Sequence, residues 1–255
     1  MAIMESVSFV YDGKYSSDYG LYNISLSNGM YEEVFTASRK IQEVTVRGNS
    51  KPYFQGFEYE PLEFELSFAF EDTWDDKKIR EIARWLTQDY YKPLWFSENP
   101  DRWFYCVSIE DATLVHNGLK QGYVKLKMRC DSPYSYTPVM TSPIYDFSTG
   151  TGVIDFVNDG DTILKPEIWI QKIGNGDVSI KNMTNKGTEF KFTELLDAET
   201  VYVNNEREYI ETSLPSTYRY ENFNNNYLEL VYGKNRLEVT GECKINFRYQ
   251  FKTMQ

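Results

Sequence analysis

The chain has 255 residues, of which 41% are hydrophobic and 16% aromatic, and its 38 acidic and 27 basic side chains give a net charge of −11. This acidity argues against a protein that grips nucleic-acid phosphates, because such proteins need clustered Lys and Arg. Tyr and Phe carry much of the apolar content, which suits pleated sheets better than helix bundles. At ~100–200 residues per domain, the length predicts one or two domains.

The N-terminal part alternates apolar and polar residues, which is the pattern of half-buried strands. Residues 39–48 alternate less regularly and predict a strand with a bulge, and the segment 48–61 is predicted to be a long aromatic loop. The apolar positions of the first two strands are Val7, Phe9 and Tyr11 before a turn at Asp12-Gly13, and Leu21, Ile24 and Leu26 before a turn at Asn28-Gly29.

Two further strands have a strict period of two, so each is expected to place one face on a core. The first follows Pro61, and its apolar positions are Leu62, Phe64, Leu66, Phe68 and Phe70. The second has a basic, wetted face, and its inward positions are Val124, Leu126, Met128 and Cys130.

A single helix is predicted at about 75–88, because apolar residues recur there at helical spacing. Acidic side chains in its first turn suit the positive end of the helix dipole. Two aromatic runs, 94–96 and 103–105, follow it and flank a turn at 97–101, so we expect the helix to lie across a sheet that includes this hairpin. The predicted buried stripe consists of Ile79, Ile82, Ala83 and Leu86.

Three prolines from Pro133 to Pro143 predict a linker at about 132–145 between domains at 1–135 and 145–255. The second domain has short strands at regular spacing, the pattern of a β-sandwich. The predicted fold class is mainly β, with an N-terminal β-sandwich-like domain, one packed α-helix and a C-terminal β-sandwich. The predicted C-terminal strands are 153–157, 167–173, 177–181, 188–192, 199–203, 207–212, 227–231, 236–240 and 243–251.

The sequence offers little for catalysis. Its one histidine, His116, falls at a predicted hairpin turn, and general-base chemistry near neutral pH usually needs His. Cys106, Cys130 and Cys243 lie far apart in strand-like runs, which predicts buried free thiols in a reducing compartment. We therefore expect no enzyme activity, no metal and no cofactor, with a paired-carboxylate hydrolase as a minor alternative.

No apolar run approaches the ~20 residues of a membrane span, and no secretory signal is recognisable, so no membrane insertion is expected.

Two aromatic segments are candidate binding surfaces. One segment is expected either to join the local core or to contact a neighbouring subunit, since aromatic residues are enriched in interface cores. Its residues are Tyr53, Phe54, Phe57 and Tyr59. The other mixes aromatic and amide side chains, and it is expected either to hold a sugar or to fold onto the sandwich. Its residues are Tyr218, Tyr220, Asn224 and Tyr227.

Several motifs follow one another in a recognisable order. In the N-terminal half they are FVYDGKYSSDYGLY, VRG, EPLEFELSF, IREIARWL, KPLWFSENPDRWFYCVS and CDSPYSYTP. In the C-terminal half they are FVNDGDTILKPEIWI, VSIKNMTNKGTEFKF and GKNRLEVTG. In this order of motifs the chain resembles the distal tail (Dit) proteins of siphophages, over nearly its whole length.

The resemblance implies a virion protein of the phage tail tip, synthesised in the host bacterial cytoplasm. Its N-terminal domain would form a homohexameric ring between the tail-tube protein and the tail-associated baseplate hub protein. A galectin-like second domain would lie outside the ring, which would serve as a platform for receptor-binding or other tail-tip proteins. With short predicted connections over 145–251, no large receptor-binding arm is expected. The acidity would let DNA pass through the lumen without specific binding.

A carbohydrate-binding module that recognises host cell-wall sugars is the alternative function, from a different class. A ring-forming protein would be oligomeric, whereas a module would show saturable glycan binding. A galectin-like fold would not by itself imply sugar binding, because one fold hosts many functions.

Overall fold

The computed structural model describes residues 3–25 and 33–254, so the expectations for Leu26 and for the turn at Asn28-Gly29 lie outside the described residues. The chain forms two compact units that divide between Tyr136 and Thr137. This division falls inside the segment 132–145. The C-terminal unit therefore begins before residue 145, and it includes the short strand Met140–Thr141 within the predicted linker.

The N-terminal unit is built almost entirely from strands. Its 3₁₀-helices are Ile3–Glu5 and Ser16–Tyr19, and its α-helix α1 is Asp76–Leu86. Its strands are β1 Phe9–Tyr11, β2 Lys14–Tyr15, β3 Leu21–Asn23, β4 Arg39–Val44, β5 Tyr53–Tyr59, β6 Glu63–Phe70, β7 Lys92–Phe96, β8 Asn99–His116, β9 Gly122–Cys130 and β10 Ser135–Tyr136.

One antiparallel sheet dominates this unit, with the strand order β2-β1-β7-β8-β9-β6-β3. Strand β10 pairs with β8, while β4 and β5 form a separate two-stranded sheet. The predicted alternation of β6 and β9 is confirmed, because Leu66 and Phe68 on β6 and Met128 on β9 are fully buried. The predicted aromatic hairpin is β7–β8, and its turn is shorter than expected, because Phe96 already pairs with Asn99.

The helix begins at an N-cap, Asp75, whose side chain accepts a hydrogen bond from the Lys78 backbone N–H at 2.7 Å. Such a bond satisfies one of the free N–H groups at a helix start. The predicted stripe was wrong at Ala83, which is exposed, and Ile79 is only half-buried. The buried residues are Ile82, Trp85 and Leu86.

Trp85 explains how the helix is rotated on the sheet. Its ring stacks on Phe9 at 5.8 Å and on Tyr19 at 4.7 Å between centroids. Its indole N–H donates to the Tyr11 carbonyl oxygen at 2.8 Å, so the polar end of the side chain is satisfied inside the core. Burying an indole removes much more apolar surface from water than burying the methyl group of Ala83.

The C-terminal unit is a sandwich of two antiparallel sheets, which confirms the predicted architecture. Its strands are β11 Met140–Thr141, β12 Tyr145–Phe147, β13 Thr151–Asn158, β14 Glu167–Lys172, β15 Gly176–Asn182, β16 Thr188–Leu195, β17 Thr200–Asn204, β18 Tyr209–Thr212, β19 Gly233–Thr240, β20 Cys243–Tyr249 and β21 Lys252–Thr253. One sheet contains β11, β12, β20, β14, β17 and β18, and both β11 and β12 pair with β20. The other sheet has the strand order β13-β19-β15-β16.

Three predicted elements differ from the structure. The segment 48–61 is not a loop, because it contains strand β5. The predicted strand at 227–231 is only a single bridge between Leu230 and Leu164. His116 ends strand β8 instead of lying in the turn, which follows it and is closed by a bond from the Asn117 N–H to the Gln121 carbonyl oxygen. Tertiary pairing, which local composition does not encode, decided each case.

A buried ion pair anchors the long connection between β18 and β19. The Arg219 guanidinium donates from Nε and Nη2 to the Glu199 carboxylate at 2.8 and 2.6 Å. The Thr212 hydroxyl and the Leu196 N–H also donate to this carboxylate. Burial by itself would raise the pKa of Glu199, but these hydrogen bonds and the positive charge outweigh it, so the net pKa is lowered.

We expect Trp85→Ala to lower the free energy of unfolding of the N-terminal unit by about 3–5 kcal/mol, because it removes a buried indole and leaves a cavity. Ala83→Gln lies on the exposed face of the same helix, and it should change this free energy by less than about 0.5 kcal/mol. Urea unfolding followed by circular dichroism measures both values. Equal losses in the two variants would contradict the observed rotation of the helix.

We expect Glu199→Gln to lower the free energy of unfolding at pH 7 by about 3–5 kcal/mol, since it leaves the Arg219 charge buried without its partner. The wild-type advantage is full above the ordinary Glu pKa of 4.5 and is lost as the pH falls through the lower pKa of the folded state. Urea unfolding at pH 7 and at lower pH tests this. The matched control is Glu229→Gln, which breaks an exposed pair with Lys165 and should have little effect.

Candidate functional site

Strands β4 and β5 form a two-stranded ribbon, residues 39–59, that is distinct from the main sheet of its unit. All six residues of β4 are exposed, and so are all those of β5 except Gly56. An isolated two-stranded hairpin is marginally stable in water, because it has too little apolar surface to bury. The ribbon therefore buries little apolar surface of its own.

A bulge in β5 decides which residues share a face of the ribbon. Gln42 pairs with Gly56, but the next residue, Glu43, pairs with Phe54, so Gln55 is an extra residue without an opposite neighbour. Without the bulge, Phe54 and Phe57 would point to opposite faces, because side chains alternate along a strand. With it they share one face, where their rings meet edge to face at 5.3 Å. The bulge was predicted within residues 39–48, whereas the extra residue lies in the partner strand β5.

One face of the ribbon is consequently exposed and mostly apolar, although Glu43, the cross-strand partner of Phe54, shares it. Ile41 pairs directly with Phe57 on this face. The Arg39 guanidinium lies 4.4 Å from the centre of the Phe57 ring, which provides a cation–π contact at its edge. We call this surface the aromatic face. Its apolar residues are Ile41, Phe54, Phe57 and Tyr59, with 55%, 61%, 41% and 45% of their surface exposed.

The opposite face of the ribbon is more polar. Lys40 forms an ion pair with Glu60, and the Gln42 amide donates to the Glu58 carboxylate at 3.4 Å. Tyr53 pairs with Val44 on this side. Sequence reasoning grouped Tyr53 with Phe54, Phe57 and Tyr59 and omitted Ile41. The cross-strand register, which no local pattern revealed, separates Tyr53 from the other three.

A second aromatic surface lies on the main sheet of the same unit. Trp95 on β7 and Trp103 on β8 are cross-strand partners, and their rings stack at 5.0 Å with an angle of 12° between their planes. Both side chains are only half-buried. They lie on the face opposite to Leu94 and Phe104, which belong to the core.

The candidate sugar-contact residues of the C-terminal unit differ from one another in their surroundings. The Tyr220 hydroxyl accepts from the Ile210 N–H at 3.0 Å, and the Tyr227 hydroxyl donates to the Glu208 carbonyl oxygen at 3.0 Å. The Asn224 amide donates to the Glu189 carbonyl oxygen and accepts from the Lys191 N–H, which ties the loop to β16. Tyr218, with 83% of its surface exposed, extends into solvent.

The surroundings of His116 and of the three thiols give no sign of nucleophilic catalysis. His116 contacts the edge of Trp74, and its Nδ1 lies 3.0 Å from the Asn117 carbonyl oxygen. Burial raises the pKa of the Cys106 and Cys130 thiols, and it raises that of Cys243 to about 11, so the nucleophilic thiolates are disfavoured at neutral pH.

No group of three or more His, Cys, Asp or Glu side chains in the described part of the chain could hold a metal ion. No helix of residues 3–25 and 33–254 is both long and apolar enough to cross a membrane.

We expect Gly56→Val to disrupt the aromatic face. Gly56 has φ +149°, a backbone conformation that a β-branched residue rarely adopts, so the bulge should be lost or shifted. Nuclear Overhauser contacts between the Phe54 and Phe57 rings should then disappear, while the thermal transition of the unit's core should remain. Gln55→Ala, which keeps the residue count of the bulge, should preserve the ring contact, and its loss there would contradict this explanation.

Comparison with known proteins gives consistent results for both units. Residues 4–132 match the family model described as "Phage tail protein N-terminal domain", and residues 140–249 match the model described as "Phage tail C-terminal domain". The chain is 36% identical over 250 residues to the SPbeta prophage-derived uncharacterized protein YomH of Bacillus subtilis (strain 168), covering 98% of this chain and 99% of that protein.

Solved structures show the same fold. The SPP1 Dit (gp 19.1) protein, described as a paradigm of hub adsorption apparatus in Gram-positive infecting phages, aligns with a TM-score of 0.71 and 18% identity, over 96% of this chain and 98% of that one. A chain of the phage P2 baseplate in its activated conformation with Ca aligns with a TM-score of 0.52 and 8% identity, over 94% of this chain and 97% of that one.

The matched domains account for both units of the chain, and the fold is that of Dit-like tail proteins, as the order of motifs predicted. This is a family of structural proteins and not of enzymes. The chain belongs to the family of phage tail proteins that carry this N-terminal and this C-terminal domain, and it has a structural role in the tail.

Proposed function

We propose that this protein forms a homohexameric ring at the tip of a phage tail. The ring joins the tail tube to the tail-associated baseplate hub and provides a platform for host-adsorption proteins. The proposal is supported by the fold shared with SPP1 Dit, which is described as part of a hub adsorption apparatus. The observation that carries it for this chain is the exposed aromatic face of the ribbon.

The aromatic face has the properties of an assembly contact. Soluble proteins rarely leave several large apolar side chains exposed side by side unless they bind another surface. Here Phe54 and Phe57 are in contact on a ribbon that lacks a core of its own. Docking on a neighbouring subunit supplies the missing burial, and a stable contact of this kind needs roughly 1,000 Å² or more.

A closed ring also needs a second, different patch on each subunit, because each copy contacts one neighbour with each patch. The stacked pair of Trp95 and Trp103 supplies a suitable surface on the N-terminal unit. Aromatic residues of this kind often dominate the energy of protein interfaces.

The net charge of −11 per subunit fits the same proposal. Acidic side chains repel the phosphates of DNA, so a ring of these subunits can surround DNA without binding it tightly. This part of the proposal requires that acidic residues face the lumen.

Light scattering coupled to size exclusion, over a concentration series, tests the ring directly. We expect a species of about 180 kDa, which is six times the 30.0 kDa of one chain. Replacing both Phe54 and Phe57 with Ser should weaken the association at least about 100-fold, since central aromatic contacts contribute about 2 kcal/mol or more each. The monomer should keep its circular dichroism spectrum, because both side chains lie outside the core.

Tyr53→Ser is the matched control, because Tyr53 is equally exposed but lies on the opposite face of the ribbon. The Tyr53→Ser variant should form the hexameric species at the same protein concentrations as the wild type. Two results would contradict the proposal: a wild-type monomer at every concentration, or a double variant that still forms the large species. Loss of folding in the double variant would instead assign these residues to the core.

A further inference from the structure

A groove of about 400 Å³ lies on the outer face of the larger sheet of the C-terminal unit. On this face the register places Trp169 of β14 between Asn246 of β20 and Tyr202 of β17. The neighbouring residues Ile168 and Ile170 point the other way and are fully buried in the sandwich core. Trp169 is therefore not needed to fill that core, and the groove is lined by side chains of the wetted face.

Trp169 is the aromatic side chain that lines this groove, and Tyr202 packs beside it on the neighbouring strand. The ring centroids of Trp169 and Tyr202 are 4.8 Å apart, with an angle of 43° between their planes. Ile144, with 68% of its surface exposed, lines the groove from the segment before β12. Trp169 and Ile144 give the groove an apolar surface in an otherwise polar part of the sheet.

The polar side chains around this apolar surface have unused hydrogen-bonding capacity. Gln171 and Asn246 line the groove, and neither side-chain amide has a hydrogen-bond partner among residues 3–25 and 33–254. A side-chain amide can donate two hydrogen bonds and also accept them. A hydroxyl group both donates and accepts as well, so these two amides suit a ligand rich in hydroxyl groups.

The charges at the groove are already paired within the protein. Lys244 lies 3.4 Å from the Asp146 carboxylate, and Arg248 lies 3.5 Å from the Glu167 carboxylate. An anionic ligand would have to compete with these carboxylates for the two cations. The groove therefore favours a ligand without net charge.

We propose that this groove binds a neutral saccharide. A sugar ring has an apolar C–H face, which packs on Trp169, and hydroxyl groups, which bond to the amides of Asn246 and Gln171. The volume lies in the usual range of small-ligand sites, about 300–1,000 Å³, and the combination of an apolar floor with a few polar groups is typical of them. This activity is separate from ring formation, because all the groove residues named here belong to one C-terminal unit.

The groove is also distinct from the loop at 218–227. In that loop Tyr220, Asn224 and Tyr227 already use their polar groups in bonds within the protein. Tyr218 is the member of the set with the most accessible ring, and it is not among the residues that line the groove. The two locations can therefore be separated by single substitutions.

The test is saturation-transfer NMR followed by calorimetric titration of the full-length protein with neutral oligosaccharides of glucose, galactose and N-acetylglucosamine. We expect saturable binding of at least one of them. Trp169→Ala should reduce the affinity at least about tenfold, as expected for loss of a central aromatic contact. Tyr218→Ala is the matched control, and its affinity should stay within about twofold of wild type.

Two smaller substitutions test the groove even if the Trp169→Ala protein does not fold. Asn246→Ala and Gln171→Ala should each lower the affinity by about 2- to 10-fold, the usual effect of losing one hydrogen bond, with an unchanged thermal transition. The proposal is overturned if no neutral oligosaccharide binds, or if only an anionic polymer such as polyglutamate binds. It is also overturned if all three groove variants bind normally, or if Tyr218→Ala alone abolishes binding.

Discussion

Side chains alternate between the two faces of a β-strand, and this constraint decides where nearly every apolar group of the protein lies. In both units it sends one set of side chains into a core and leaves the other set in water. The ribbon at 39–59 is the informative exception. There a single extra residue, Gln55, changes the alternation and brings Phe54 onto the face of Phe57. An apolar surface forms outside any core as a result.

The helix buries apolar side chains that the main sheet of the N-terminal unit presents on one face. Trp85 inserts between Phe9 and Tyr19, and its N–H bonds to a backbone oxygen of β1. One large side chain thus supplies both apolar burial and a satisfied polar group, which fixes the rotation of the helix. A small residue such as Ala83 has no comparable influence, and it remains on the outside.

The distribution of reactive groups suits a protein that acts through its surfaces. The thiols are buried and protonated, and the well-paired carboxylate of Glu199 holds a loop in place. What the molecule leaves available are aromatic side chains on wetted strand faces, at the ribbon and around Trp169. Exposed aromatic groups cost solubility, so their retention is best explained by partners that cover them. We propose that these partners are neighbouring subunits at the ribbon and a saccharide at Trp169.

The sequence by itself determined the fold class, the regular strands, the position of the helix and the family, because periodicity and the order of motifs are local properties of the chain. It also identified Phe54 and Phe57 as candidate contacts. It did not separate Tyr53 from them or add Ile41, since these depend on which residues pair across two strands. For the same reason the groove around Trp169 was not found. Only the tertiary structure, by fixing register between distant strands, decided which side chains share a surface.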